Sequence, residues 1–214
     1  MTPAPAQLEC PRRPAGLELS WRDFEGAFWQ GPPEIHMELD NFGTPVPDHR
    51  TEVRIRWTRE HLYFLFHCPY QELHLKPSPQ THEETFGLWN WDVAEVFISA
   101  DFQDIRRYRE FEVSPQGEWI DLDVDLTAPC PEDGWLWRSG MEAAASIDGT
   151  NQVWYGAMRI PYGSIDARPA EAGNALRMNL FRSQGSRRLE VVWHPTRKNT
   201  FHVPEVFGTL HLAG

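Results

Sequence analysis

Residues 88–99 read LWNWDVAEVFIS, and the prediction of the fold starts from this stretch. Ala94, Val96 and Ile98 lie two positions apart, so they share one side of an extended chain, and Glu95 lies on the other side. A period of two indicates a β-strand with one buried face. The stretch therefore predicts a strand that turns three small or branched apolar side chains toward a core and a carboxylate away from it.

Two further segments alternate in the same way. In YREFEV, residues 108–113, Phe111 and Val113 are expected to face the core, with Glu110 and Glu112 opposite. In WIDLDVD, residues 119–125, the apolar side chains are also expected to face the core, with the aspartates opposite. The side chains predicted to point away from the core in this last segment are Trp119, Asp121, Asp123 and Asp125.

If these three strands are neighbours, the face away from the core carries carboxylates and an indole. A carboxylate accepts hydrogen bonds from hydroxyl groups, and an indole offers a flat apolar plate. A sugar presents the complementary surfaces. An ordinary solvated sheet face has the same composition, and from this stretch alone that plainer interpretation is favoured.

Composition and charge narrow the class of protein. The chain has 214 residues, of which 41% are hydrophobic, which is enough for one β-sandwich domain. Its net charge of -11 argues against nucleic acid and against anionic membrane surfaces as partners. No apolar run approaches the ~20 residues of a membrane helix. Ten tryptophans are unusually many and fit surfaces that stack on flat ligands.

The N-terminal segment, residues 1–16, is rich in Pro and Ala and is expected to be a flexible tail. It has no basic start followed by an apolar core, which predicts no secretory signal and a cytoplasmic location; a secreted or periplasmic protein stays open. Cys10, Cys68 and Cys130 have no paired spacing, which argues against a zinc site and a disulfide framework.

The rest of the chain, residues 17–214, reads as a single domain of about ten short strands separated by turn residues. Thr51–Trp57 alternates, whereas His61–Cys68 (HLYFLFHC) is apolar on both faces and is expected to be a central strand. Such a series predicts an all-β, antiparallel sandwich of two sheets, jelly-roll or immunoglobulin-like, with at most short helical turns.

Three blocks resemble family 9 carbohydrate-binding modules, within the DOMON-like superfamily. Residues 89–97 resemble the W-x-x-D-x-x-E-hydrophobic-F block of that family, and residues 108–117 its Y-x-x-F-x-V-x-P-x-G strand. Residues 193–208 are similar to its terminal W-x-P…F-H-x-P-x-x-F-G signature. No block is specific alone, but the three occur in the family's order, and the similarity runs from Leu17 to Leu212.

The resemblance implies a sugar held between two aromatic plates. By position, Trp89 matches the first plate, Glu95 an acidic contact, and Phe201 the second plate, where characterised members have Trp. Lys198 and Asn199 fall on the loop before the second plate.

Two further positions complete the predicted carbohydrate site but differ from the family pattern. Glu112 stands where a basic contact is expected, and Phe181 stands where a polar amide is expected. The resemblance also implies structural calcium. Acidic loops could supply its oxygen ligands, but no dense Asp/Asn/Gly motif marks a place, and no other cofactor is predicted.

Each of these residues also has a structural interpretation. Trp89 can equally be a core side chain, and Glu112 is expected to belong to a solvated or ion-paired face. Glu95 can be a sheet-face carboxylate held by a cation, although the family match places its ligand role slightly ahead. Phe201 and His202 can simply pack the C-terminal loop.

The leading hypothesis is non-catalytic binding of a saccharide or polysaccharide, in the setting of carbohydrate catabolism. A glycosidase acting on O-glycosyl bonds through Glu95 and Glu112 is the first alternative. Haem binding through Met141, Met158 or Met178 with a histidine, or a protein-interaction role with an unidentified partner, are the others.

Overall fold

The computed structural model describes residues 7–128 and 132–214, so Cys130 lies outside the described residues. Within them the chain is built of strands joined by loops and single 3-10 turns. The strands are β1 Gln7–Cys10, β2 Ile35–Met37, β3 Thr51–Trp57, β4 His61–Pro69, β5 Val93–Ser99, β6 Arg107–Val113, β7 Trp119–Asp125, β8 Glu142–Asp148, β9 Val153–Pro161, β10 Ala175–Gln184, β11 Leu189–Val192 and β12 Gly208–Leu212. The 3-10 turns are Trp21–Asp23, Ala27–Trp29, Pro47–His49, Leu88–Asn90, Glu132–Trp135, Tyr162–Ser164 and Pro204–Val206.

The strands form two sheets, which confirms the predicted β-sandwich. The first sheet has the order β1-β12-β10-β5-β6-β7, with β11 paired to β10, and the second has the order β2-β3-β4-β9-β8. The pairings are antiparallel, except that β1 runs parallel to β12 at the edge of the first sheet. None of the helical elements in the described residues is long or apolar enough to cross a membrane.

The main core lies between the sheets and follows the predicted alternation. In β5, Ala94, Val96 and Ile98 are buried in it, and from β6 Phe111 and Val113 join them. The predicted central position of β4 is also confirmed, since β4 lies between β3 and β9. One face of β4 packs in the main core and the other against a smaller cluster over the second sheet, so both faces need apolar residues.

The prediction that the apolar side chains of β7 face the main core is wrong. Ile120 lies opposite Glu112 and Leu122 opposite Glu110, and directly opposed residues in an antiparallel pair share a face. The apolar side chains of β7 therefore point away from the main core, and Trp119 packs against it. Alternation alone cannot distinguish the two faces, because this sheet is apolar on both of them.

The face of the first sheet that points away from the second sheet carries its own apolar cluster, here called the outer cluster. Loops cover this face, so the strands that reach it need apolar side chains there as well as in the core. The outer cluster consists of Leu88, Val93, Phe97, Tyr108, Ile120, Leu122, Val124, Phe181, Val192 and Phe207. The candidate site lies on this face.

Residues 7–16, the described part of the predicted flexible tail of residues 1–16, differ from that prediction. From Gln7 the chain forms β1, which pairs in parallel with β12, and Arg12 forms an isolated bridge with Trp57. The thiol of Cys10 is fully buried, as is that of Cys68, and both are free. Backbone pairing and one buried side chain hold this segment, although its Pro and Ala content conceals the strand.

Candidate functional site

A small cavity of about 120 Å³ opens on the loop-covered face of the first sheet and is called the Glu95 pocket. Its floor comes from β5, β6 and β7. Its walls come from the turns at 88–90 and 132–135, the β10–β11 turn, and the segment just before the last strand. Its lining residues are Trp89, Glu95, Phe97, Glu110, Leu122, Trp135, Arg188, Phe201 and His202.

Two aromatic rings predicted as sugar plates, those of Trp89 and Phe201, both line this pocket. Trp89 is in the 3-10 turn before β5 and is only partly buried, with its ring edge-to-face on Phe86 at 5.0 Å. Phe201 stacks on Phe181 with ring centroids 4.3 Å apart and planes within 14°. The sequence places these rings more than 100 residues apart, and the fold brings them to one cavity.

Three glutamates form the acidic part of this site. Glu95 lies opposite Glu112 in the β5–β6 register, and Glu110 lies opposite Phe97. Carboxylate oxygens of the three lie within 4.8 Å of one another, and their side chains are only 2%, 0% and 4% exposed for Glu95, Glu112 and Glu110. Glu95 and Glu110 line the pocket, and Glu112, beside Glu95, is not among the lining residues.

Burial shifts the pKa of two lining groups. The pKa of Glu95 is raised well above its usual range by desolvation, and the nearby carboxylate of Glu110 raises it further. The Arg188 guanidinium opposes this shift. Burial lowers the pKa of His202 to about 4, so its ring is neutral at pH 7. The Nδ1 of that ring lies 2.6 Å from the Tyr108 hydroxyl, which fixes its orientation.

Six lining side chains were not among the predicted site residues, and two of them, Arg188 and Trp135, lie outside both the strands and the three family blocks. Arg188 comes from the β10–β11 turn, where it has a left-handed backbone with φ of 51°. Trp135 is the last residue of the 3-10 turn Glu132–Trp135, and its buried indole Nε1 has no hydrogen-bond partner within the described residues. Neither residue lies in a periodic segment, so the sequence offered only the presence of a Trp in a loop as a signal.

Four predicted site residues do not line the pocket. Glu112 and Phe181 are both fully buried, Glu112 beside Glu95 on the neighbouring strand and Phe181 under the ring of Phe201. Lys198 and Asn199 are exposed on the preceding loop, and the backbone carbonyl of Lys198 accepts a hydrogen bond from Asn41. The first pair adjoins lining residues, and the second pair belongs to a loop whose backbone is anchored.

Two buried asparagines hold the segment that leads to Phe201. Asn179 Nδ2 donates to the His194 carbonyl at 2.9 Å, and its Oδ1 accepts from the His194 amide at 3.0 Å. Asn41 Oδ1 accepts from the Thr196 hydroxyl at 2.6 Å, and Asn41 Nδ2 donates to the Lys198 carbonyl at 2.7 Å. These bonds place the Phe201 ring without a regular strand.

The carboxylates are badly placed for glycoside hydrolysis. A glycosidase holds its two carboxyl groups on either side of the scissile bond, about 5–10 Å apart. Here Glu95 and Glu112 stand side by side on one face of the sheet, and Glu112 is fully buried. A sugar in the pocket would reach only one of them, so the pair cannot flank a glycosidic bond.

The three glutamates also form the group of described residues that could hold a metal ion. Calcium takes about six to eight oxygen ligands. The side chains paired with these glutamates across the strands, Phe97, Ile120 and Leu122, add no oxygen. The cluster therefore does not fit the structural calcium that the family resemblance implies.

The methionines considered for haem are core side chains. Met141, Met158 and Met178 are at most 4% exposed and belong to the main core cluster between the sheets. A flexible thioether fills irregular space in such a core. Their positions give no observation that favours haem binding.

The raised pKa of Glu95 has a consequence for stability. The folded chain holds this proton to a higher pH than the unfolded chain does, so folding is favoured at low pH and loses stability as pH rises through the folded pKa. We expect Glu95→Gln to lessen this loss, leaving the variant more stable than the parent at alkaline pH. Urea unfolding from pH 5 to 9 measures the free energy of unfolding of the parent and of Glu95→Gln, and Glu83→Gln at an exposed position is the control. If this free energy falls equally steeply with pH in Glu95→Gln and in the parent, the expectation is contradicted.

A family model and a curated protein both match most of the chain. The family model described as "Carbohydrate family 9 binding domain-like" matches residues 24–214. A curated protein of Arthroderma benhamiae named "Extracellular protein" is 25% identical over 186 residues, covering 78% of this chain and 82% of that protein.

Two solved folds are similar over nearly the whole chain. A provisionally assigned carbohydrate-binding protein from Bacteroides uniformis has a TM-score of 0.72 at 15% identity, covering 98% of this chain and 100% of that one. A family 9 carbohydrate-binding module from Caldicellulosiruptor kristjanssonii, solved with cellotriose and with glucose, has a TM-score of 0.64 at 12% identity in both complexes. These cover 98% of this chain and 94% and 96% of the two neighbours. At such identities the likeness shows a shared fold.

Proposed function

The chain belongs to the carbohydrate family 9 binding domain-like family, and on this premise we propose that it binds a saccharide in the Glu95 pocket without breaking a bond. The observation that carries the proposal is the meeting of two aromatic rings, Trp89 and Phe201, over a floor that includes a buried carboxylate, Glu95. That combination is complementary to a sugar, whose C–H faces stack on rings and whose hydroxyls donate to carboxylates.

A second observation supports a hydroxyl-bearing ligand. Trp135 lines the pocket, and its buried Nε1 has no hydrogen-bond partner within the described residues. A buried donor without a partner costs free energy, on the order of 1–3 kcal/mol. A ligand hydroxyl in the pocket would accept this hydrogen bond, while Glu95 accepts one from a neighbouring hydroxyl.

The size of the pocket limits how much of the ligand enters. Sites for drug-sized ligands usually span about 300–1,000 Å³, and this cavity has about 120 Å³. It therefore takes part of a saccharide, such as one sugar ring held by its face and edge, and the remainder of the ligand lies over the surface around it.

A glycan array followed by calorimetry tests the proposal. We expect specific hits for the wild type, loss of those hits for Phe201→Ala, and no released product after prolonged incubation with the bound glycans. Phe102→Ala removes a Phe that is 46% exposed and outside the Glu95 pocket, and it should keep the hits. An array without hits, or product release that depends on Glu95, would refute the proposed function.

A further inference from the structure

A second cavity, of about 430 Å³, adjoins the Glu95 pocket and is called the Phe42 cleft. Arg188 lines both cavities, so they meet at this side chain. Glu190, which lines the cleft, also acts on the pocket, because its charge raises the pKa of Glu95. The two cavities are therefore neighbours on one surface.

The cleft presents an exposed aromatic side chain. Phe42 is 51% exposed, and it lines the cleft. Isolated exposed apolar residues are common on protein surfaces, so exposure alone decides nothing. What distinguishes Phe42 is that an exposed ring stands in a polar cleft next to the proposed sugar pocket.

The loop that carries Phe42 is rigidly held. Asn41 is fully buried and bonds to Thr196 and to the Lys198 carbonyl, and its own carbonyl accepts from the Arg197 amide at 2.8 Å. The Phe42 carbonyl accepts from Arg197 Nη1 at 3.3 Å. One set of bonds thus ties the loop of Phe42 to the segment that carries Phe201.

The remaining lining of the cleft is suited to hydroxyl groups. Arg187 and Arg188 offer guanidinium donors, and Glu72 and Glu190 offer carboxylate acceptors. A flat apolar ring beside paired donors and acceptors is the same chemistry as in the Glu95 pocket, on a larger scale. The mixture of charge signs favours a neutral polyhydroxyl group over an ion.

We infer that the Phe42 cleft is a second subsite, which holds the next sugar units of an oligosaccharide whose first unit occupies the Glu95 pocket. Phe42 stacks on the second ring, Arg188 contacts both units at the junction, and Arg187 contacts only the outer units. This inference rests on the proposed function and adds to it that the ligand is a chain of sugars.

The test is the dependence of affinity on chain length. Gluco-, xylo-, manno- and chito-oligosaccharides of one to four units are titrated into the full chain by calorimetry. In the series that binds, we expect three units to bind at least about fivefold more tightly than one. A fivefold gain in affinity corresponds to about 1 kcal/mol. Phe42→Ala should weaken the binding of three units about threefold to tenfold. It should change the affinity for one unit by less than about twofold.

Matched variants separate this subsite from general damage. Phe102→Ala removes a similarly exposed Phe elsewhere and should retain the gain with length. Arg187→Gln should weaken only the longer ligands, whereas Arg188→Gln should weaken all of them. Affinity independent of length, or a length gain that survives Phe42→Ala, would overturn the second subsite and leave the proposed function standing. If no unit of any series binds, both fail.

Discussion

Replacing Trp89 by alanine is expected to weaken saccharide binding roughly tenfold to a hundredfold, because covering and stacking a large aromatic plate contributes about 1.5–3 kcal/mol. Trp89 is partly buried at the mouth of the Glu95 pocket, and its indole forms the wall contributed by the turn before β5. Alanine leaves the carboxylate floor in place and removes the plate.

Calorimetry on the best ligand from the glycan array measures this effect. Trp89→Phe, which keeps a smaller plate, should fall between the parent and Trp89→Ala. Trp21→Ala is the matched control, since Trp21 is 56% exposed and does not line the pocket. Equal affinities for Trp89→Ala and Trp21→Ala, with thermal unfolding unchanged in both, would remove Trp89 from the site.

Asn41→Ala is expected to lower the free energy of unfolding by about 3 kcal/mol, since each buried polar group left without a partner costs about 1–3 kcal/mol. Asn41 is fully buried, and its side chain bonds to the Thr196 hydroxyl, the Thr196 amide and the Lys198 carbonyl. Alanine removes these three hydrogen bonds, and the Thr196 amide loses the acceptor that Asn41 Oδ1 provides.

The same substitution should weaken saccharide binding, although Asn41 is about 160 residues before Phe201 in the chain. Its bonds hold the segment that places the Phe201 ring, so their loss allows that ring to move. Urea unfolding and calorimetry measure the two effects. Asn199→Ala is the control for stability, because Asn199 is exposed on the same loop and its loss should cost less than about 0.5 kcal/mol. Similar stabilities for the two variants would show that the buried bonds do not anchor the loop.

Much of the fold follows from local pattern. The alternation in β5 and β6 predicts both their extension and their faces, since the apolar positions of the pattern lie in the main core and the glutamates lie on the opposite face. The apolar run of β4 predicts its central position, because a strand that is covered on both faces needs apolar side chains on both. Strand β1 is hidden in a Pro- and Ala-rich segment, because four residues paired only at an edge leave too short a pattern.

The orientation of β7 shows where local pattern stops being sufficient. Its alternation is as regular as that of β6, yet its apolar side faces the outer cluster. The choice depends on the register with β6, which pairs Leu122 with Glu110, and on loops that cover the outer face. Neither the register nor the loops can be read from the strand itself.

The sequence by itself determined that this chain is a two-sheet sandwich with the motifs of its family, and it named Trp89, Glu95 and Phe201, because strand periodicity and motif order are local properties. Only the tertiary structure decided that these three residues line one pocket, that Glu112 and Phe181 are buried outside its lining, and that Trp135 and Arg188 join its wall. The physical reason is that a pocket wall is assembled from loops, whose side-chain directions follow from long-range hydrogen bonds such as those of Asn41 and not from a repeating backbone geometry.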